Sequence, residues 1–246
     1  MAGGWIHRSL PSIPVPGNHE YNPQVQRDID EGIKRLSVQW NSQFTLPMNG
    51  VKGIEETNYF LDYQGVRFIA LNSNLMIEEQ AEWLESVLKD NPNKWTIATY
   101  HHPIFSASRG RDNVELRSLW KPLFDKYNVD LVLNGHDHTY ARGHVPKIYE
   151  EDIVSNEIKT MYVTSVSGPK FYRLDRKQLK EGYVKDGYKS DKISHLVQFF
   201  QVITIEEDKL TYVAYTATGQ VYDRAVIVKD FESGEKKFYQ KSQNPN

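Results

Sequence analysis

Cysteine is absent from all 246 residues, and that removes three chemistries together. There are no disulfides, no thiolate metal sites and no cysteine nucleophile, so any bound metal is held through nitrogen and oxygen. The redox compartment stays open, because a chain without cysteine suits cytosol, periplasm and exterior alike. A dominant charge is missing too. Lys and Arg number 30 against 32 Asp and Glu, giving a net charge of -2. That balance leaves no electrostatic footprint for nucleic acid or an anionic membrane. No apolar run approaches the roughly 20 residues that span a bilayer. Met1-Ala2-Gly3-Gly4-Trp5 leads into polar residues rather than the apolar centre of a signal peptide. Internal repeats and low-complexity tracts are lacking as well.

What is present is an ordinary globular composition, 39% hydrophobic and 25% charged, long enough to bury a sizeable core. Ser12-Ile13-Pro14-Val15 reads as a short buried strand running into the Pro16-Gly17 turn. Residues 24–42 carry Ile29, Ile33, Leu36 and Trp40 at helical spacing. Tyr59 to Leu71 holds two strands around Gln64-Gly65, and Ile77, Ala81, Leu84 and Leu88 mark an amphipathic helix. Residues 94–100 and 129–133 read as strands flanking a helix over 114–127. Alternating strand and helix predicts a largely parallel sheet with helices outside.

After residue 144 the character changes. Strands are predicted over 144–149, 159–166, 195–205, 209–215 and 220–228, with hairpin turns at Asp208-Lys209 and Thr218-Gly219-Gln220. The simplest architecture is two sheets packed face to face with helices outside. The chain divides into a single domain over 1–231 and a polar, frayed tail over 232–246.

Three clusters of potential ligands share one place in this scheme. Asn18 and His19 follow Ile13 to Val15, His101 and His102 follow Trp95 to Tyr100, and His136 and His138 follow Asp130 to Asn134. The carboxyl ends of strands line the ligand crevice of open α/β sheets. A lone loop histidine is ordinarily a surface or core residue; five at three such ends are not explained that way. Histidine nitrogen and Asn oxygen suit Zn, Fe or Mn better than calcium. Gly135 is expected to turn the backbone so that His136 and His138 reach adjacent ions. A metal pair activates a bridging water and stabilises displacement at phosphorus, while a neighbouring histidine donates a proton to the leaving alcohol.

Gly17-Asn18-His19-Glu20, His101-His102-Pro103 and Gly135-His136-Asp137-His138 resemble the last three motifs of the calcineurin-like metallophosphoesterases. Val15 to Tyr21, and Met161 to Ser165 with Phe171-Tyr172, resemble bacterial purple-acid-phosphatase-like proteins. The resemblance covers most of residues 10–230. It implies a four-layer α/β/β/α sandwich, a dinuclear centre of Fe, Zn or Mn, and hydrolysis of phosphate monoesters by a metal-bridging hydroxide. Carried over by position, Asn18, His101 and His136 would hold one metal and His138 the other. His19 would contact the phosphoryl group and serve as proton donor, with His102 a lesser candidate for catalysis. Glu20 and Asp137 would orient the ligands.

The family pattern also has an earlier Asp motif and a Gly-Asp motif that bridges the metals. No Gly-Asp dipeptide occurs here, and no aspartate precedes Asp28. The chain therefore reads as N-terminally truncated, missing strands and carboxylate ligands, and weak or inactive alone. The resemblance also implies export to periplasm or exterior for the intact protein. A phosphodiesterase or nuclease on the same scaffold is a second reading, with the neutral charge counting against nucleic acid. A non-catalytic metal-binding remnant is a third. Pro169 to Lys177 mixes aromatics with cations and reads as a solvated loop or a wall of the substrate entrance. Tyr140, Arg142 and His144 are open between substrate contact and packing. His7 and His195 are assigned no role.

Overall fold

The computed structural model describes residues 10–147 and 156–240. His7, the last two positions of the strand expected over 144–149, and residues 241–246 lie outside the described residues. Residues 11–17 run without regular structure to a 3-10 turn at Asn18–Glu20, so the strand expected at 12–15 is not formed. Its Pro14 and Pro16 lack the N–H a ladder needs.

The helix expected over 24–42 is broken. Strand β1 (Tyr21–Asn22) precedes helix α1 (Gln26–Glu31), followed by strand β2 (Arg35–Leu36) and helix α2 (Trp40–Gln43). Gly32 ends α1 in a left-handed cap with φ 67°. Of the apolar spacing only Trp40 is buried: Ile29 is 61% exposed, whereas Asp28 is buried and gripped by Arg35.

The next elements form as the pattern predicts. They are β3 (Tyr59–Tyr63), β4 (Val66–Ala70), α3 (Ile77–Lys89), β5 (Trp95–Tyr100), α4 (Val114–Lys126) and β6 (Leu131–Asn134). Strands β7 (Tyr140–Pro146) and β8 (Ile158–Thr164) follow, then β9 (Lys189–Ser194), which the sequence reading missed. Strands β10 (Phe199–Glu206), β11 (Lys209–Thr216), β12 (Val221–Lys229) and β13 (Lys236–Gln240) close the chain. The frayed tail expected from Glu232 is corrected by β13, which pairs antiparallel with β12.

A seven-stranded sheet has the order β3-β4-β5-β6-β8-β7-β9, with β4, β5, β6 and β8 parallel and the others antiparallel. A four-stranded antiparallel sheet has the order β10-β11-β12-β13. Leu84 and Leu88 of α3 and Leu116, Trp120 and Phe124 of α4 pack on one face of the large sheet. Ile97, Leu131, Met161 and Val163 on its other face meet Leu210, Tyr212 and Ile227 of the small sheet. The α/β sandwich is thus as expected, and the described residues fill three of its layers. Among the described residues no helix covers the outer face of the small sheet, where Phe200 and Val202 are exposed. Nor is any described helix long and apolar enough to cross a membrane.

Candidate metal centre

Register decides what can meet at the top of the large sheet. In parallel β5 and β6, Tyr100 lies opposite Asn134, so the residues after each strand leave side by side. Asn134 Nδ2 donates to Tyr100 O at 2.9 Å and Gly135 N donates to His101 O at 3.1 Å, extending the pairing past both ends. His101 and His136 are therefore neighbours.

The Asn18 turn closes over them. Gly17 N donates to Glu20 Oε2 at 2.7 Å, which fixes the turn. A side chain at position 17 would crowd the ring, since a Cβ would stand 2.9 Å from His101 Cε1. Asn18 Oδ1 consequently lies 2.9 Å from His101 Nε2 and 3.1 Å from His136 Nδ1, and the two nitrogens are 3.0 Å apart. An ion bonded to nitrogen at about 2.0–2.1 Å keeps tetrahedral ligand atoms about 3.3 Å apart. The three donors fit one ion.

His102 sits against this triad, its ring centroid 4.2 Å from that of His136. Ser73 Oγ holds it from below, 2.8 Å from His102 Nδ1, and also accepts the His102 N–H at 3.0 Å. Donor atoms of His101, His102 and His136 all lie within 4.8 Å of one another. His138 stands apart, its Nδ1 3.1 Å from Lys170 O and its ring 4.6 Å from that of Tyr172. His19 is exposed at the rim and near enough for its charge to bear on His101.

The sharp turn is made differently from expectation. Gly135 does not adopt a left-handed conformation; His136 and His138 do, with φ 63° and 40°. Residues with a Cβ reach that region only at a cost, and the surrounding structure has to hold them there. Asp137 does the holding. Its buried Oδ2 accepts Ser106 Oγ at 2.6 Å and the Ala107 N–H at 2.8 Å, and Ser108 Oγ donates to its carbonyl. Burial nevertheless raises the Asp137 carboxyl above its ordinary range. Glu20 and Asp137 thus touch backbone and loop rather than ligand rings.

Electrostatics leave the cluster neutral. Burial, then the charges of His102, His19, His138 and Arg111, push His101 down to about 4. Burial followed by His102 and Arg111 pushes His136 down to about 3. Burial lowers His102 as well, against the pull of Ser73. Neutral imidazoles at pH 7 present free lone pairs, the form a metal requires.

Ser73 and Arg111 escaped the sequence reading. Ser73 was findable: it follows β4 as the histidines follow β5 and β6, so the same strand-end rule points to it. Arg111 sits in a loop with no such signal. Tyr140, Arg142 and His144 turn away from the centre. Tyr140 Oη donates to Asp223 at 2.7 Å, Arg142 Nε donates to the same carboxylate at 2.7 Å, and the His144 ring packs 4.8 Å from that of Phe238. All three thus reach across to the small sheet, while His144 Nδ1 lies 2.7 Å from Asp191 of neighbouring β9. The 169–177 loop does reach the rim, through Tyr172. Tyr183 and Tyr188 pack in the helix-side core.

Such a centre at the carboxyl ends of a two-sheet sandwich is the architecture of a metallophosphoesterase. The calcineurin-like phosphoesterase model matches residues 4–140, more than half of the chain. This chain belongs to that family. Membership implies transition or other divalent metal ions, and the donor set suits them. An uncharacterized protein of Mycobacterium tuberculosis is 38% identical over 161 residues, covering 56% of this chain and 28% of that protein. Purple acid phosphatase 13 of Arabidopsis thaliana is 27% identical over 168 residues, covering 65% of this chain and 29% of that protein. The solved purple acid phosphatase from yellow lupin (Lupinus luteus) seeds shares the fold with a TM-score of 0.64 at 22% identity. That match covers 89% of this chain and 40% of the lupin chain. The chain thus spans less than a third of the length of these two curated relatives.

Proposed function

We propose that this chain carries part of the active centre of a metal-dependent phosphoric-ester hydrolase acting on phosphate monoesters. The observation that carries the reading is the convergence of Asn18 Oδ1, His101 Nε2 and His136 Nδ1 within 3.1 Å of one another. These three residues hold one ion of the dinuclear centre, and His138 contributes to a second. Ions bound there would supply Lewis-acid stabilisation of charge developing on phosphorus and would lower the pKa of attacking water. The nitrogen and oxygen donors suit Fe, Zn or Mn.

The chain's own residues orient and protonate. His19, exposed at the rim, contacts the phosphoryl group and donates a proton to the leaving alcohol. His102, fixed by Ser73, shares that task. Glu20 and Asp137 set the two turns that aim the ligands. Localisation outside the cytoplasm follows from the same family reading, and a small phosphorylated molecule is the substrate.

His136→Ala is the test. Loss of about one equivalent of bound metal together with loss of turnover of a chromogenic monoester is expected; an unchanged rate refutes the assignment. A second reading is favoured by one observation. Among the described residues the cluster that can share an ion is three histidines and holds no carboxylate. With no carboxylate in it to bridge two ions, that cluster supplies ligands for a single ion, so metal uptake without turnover would identify a binding module.

A further inference from the structure

Arg111 has an unused donor beside the centre. Its Nη1 is shielded from solvent and has no hydrogen-bond partner among the described residues. Asp137 Oδ1 lies 3.9 Å from it, beyond hydrogen-bond reach, and is likewise unpartnered. The guanidinium is nevertheless held in place. Tyr172 presents its ring 4.5 Å from Arg111 Cζ, and Gln178 Nε2 donates to the Arg111 carbonyl at 2.8 Å. Arg109 N donates to Arg173 O at 2.9 Å, tying the two loops together.

A second cation completes the arrangement. Lys170 Nζ lies 5.1 Å from the Tyr172 ring, and that ring is packed on His138. Lys170 and Arg111 together hold the Tyr172 hydroxyl below its ordinary range. A partly exposed guanidinium, fixed on the same Tyr172 ring that packs on His138, therefore stands at the edge of the ligand cluster.

We propose that Arg111, backed by Lys170, is the specificity-determining cation of this centre, binding a phosphoryl oxygen and selecting phosphomonoesters over diesters. The proposal rests on the hydrolase reading above and names the charge class of its substrate. A monoester carries about -1.5 to -2 at pH 7, while a diester carries a single negative charge. The additional charge is what cations beyond the metals recognise. A guanidinium fork suits this better than an ammonium, because it matches the spacing of two phosphoryl oxygens. Stacking on Tyr172 lowers the entropy lost when the fork engages.

Wild type, Arg111→Gln and Arg111→Lys, each loaded with Mn or Zn, decide the matter. Metal content, calorimetric titration with inorganic phosphate, and kcat/KM on p-nitrophenyl phosphate and bis(p-nitrophenyl) phosphate are measured. Arg111→Gln is expected to keep its metal and lose phosphate affinity by about tenfold or more. Its kcat/KM should fall by about ten times more for the monoester than for the diester. Arg111→Lys should recover part of the affinity, since the charge remains. Wild-type phosphate affinity in Arg111→Gln overturns the proposal. So does joint loss of metal and phosphate, which marks Arg111 as a brace for Asp137, and so does a wild type that binds no phosphate. A wild type that binds metal and phosphate but cleaves neither ester refutes the hydrolase reading instead, and the phosphate comparison still judges Arg111.

Discussion

Close approach at a single glycine shapes the centre. A Cβ at Gly17 would stand 2.9 Å from His101 Cε1, 3.1 Å from its Nδ1 and 3.0 Å from Glu20 Oε2. His101 has little room to retreat, with Asn18 and His136 on one side and His102 on another. Gly17→Ala should therefore displace the imidazole or open the Asn18 turn. We expect metal affinity to fall by about 10–100-fold, the range for losing a contact that orients a ligand. Metal titration checks this, with far-UV circular dichroism confirming that the fold persists. Unchanged affinity would show that the turn relaxes without cost. The same logic does not extend to Gly135, where a Cβ would meet His101 Nδ1 at an ordinary 3.6 Å. Gly135→Ala should be tolerated, whereas the left-handed histidines after it depend on Asp137.

At the scale of elements, strand β13 is fastened by a buried charge cluster at the far end of β6. Lys236 is fully buried, and its Nζ donates to the carbonyls of Asn128 and Val129 at 2.9 Å each. It lies 3.3 Å from Asp130 Oδ1, and Lys229 Nζ lies 3.0 Å from the same atom. Asp130 Oδ2 in turn accepts the Thr96 N–H at 2.8 Å. Desolvation wins over this pairing, pushing Lys236 down to about 8. Removing the one anion leaves two cations uncompensated. Asp130→Asn should cost about 3–5 kcal/mol of stability, whereas Lys236→Met, which leaves the Asp130–Lys229 pair, should cost far less. Urea unfolding of both variants checks the order, and equal losses would contradict it. This strand also marks where sequence reading ends. β10, β11 and β12 announce themselves by Val, Ile, Tyr and Thr, as do the apolar strands that carry the histidines. Lys236-Lys237 and Lys189-Ser190-Asp191-Lys192 look like solvated loop, because Lys236 and the Asp191 side chain are buried by ion pairs that only the tertiary structure supplies. Residues 24–42 fail in the opposite sense: their periodicity is real, but no core lies beneath Ile29 or Val38. The candidate site was more legible than the fold around it, since ligand types at strand ends signal themselves, whereas Arg111 reaches the centre only through loop packing.

For the whole molecule, the shifted groups respond to acid in different ranges, and one of them with the opposite sign. His101 and His136 have native values of about 4 and about 3, against 6.5 for an unhindered imidazole. Between pH 6.5 and about 4 the unfolded chain therefore binds protons that the native protein refuses, and stability falls as pH drops through that window. The contribution is fully present above pH 6.5. Asp137, raised by burial, acts oppositely, since acid removes the cost of its buried charge. Asp223, lowered mainly by Arg142 against its burial, loses its contribution only below the ordinary carboxylate range. The window between 6.5 and 4 consequently belongs to the histidines. Chelator-treated protein should melt at progressively lower temperature from pH 6.5 to 4, and His136→Gln should flatten that slope. Adding Mn or Zn should raise the melting temperature at pH 7, as any ligand that binds only the native state does. It should also steepen the acid limb, because the ion holds the imidazoles unprotonated in the native state and each proton then competes with metal. A metal-loaded protein with the same acid slope as the stripped one would mean that the ion binds away from His101 and His136.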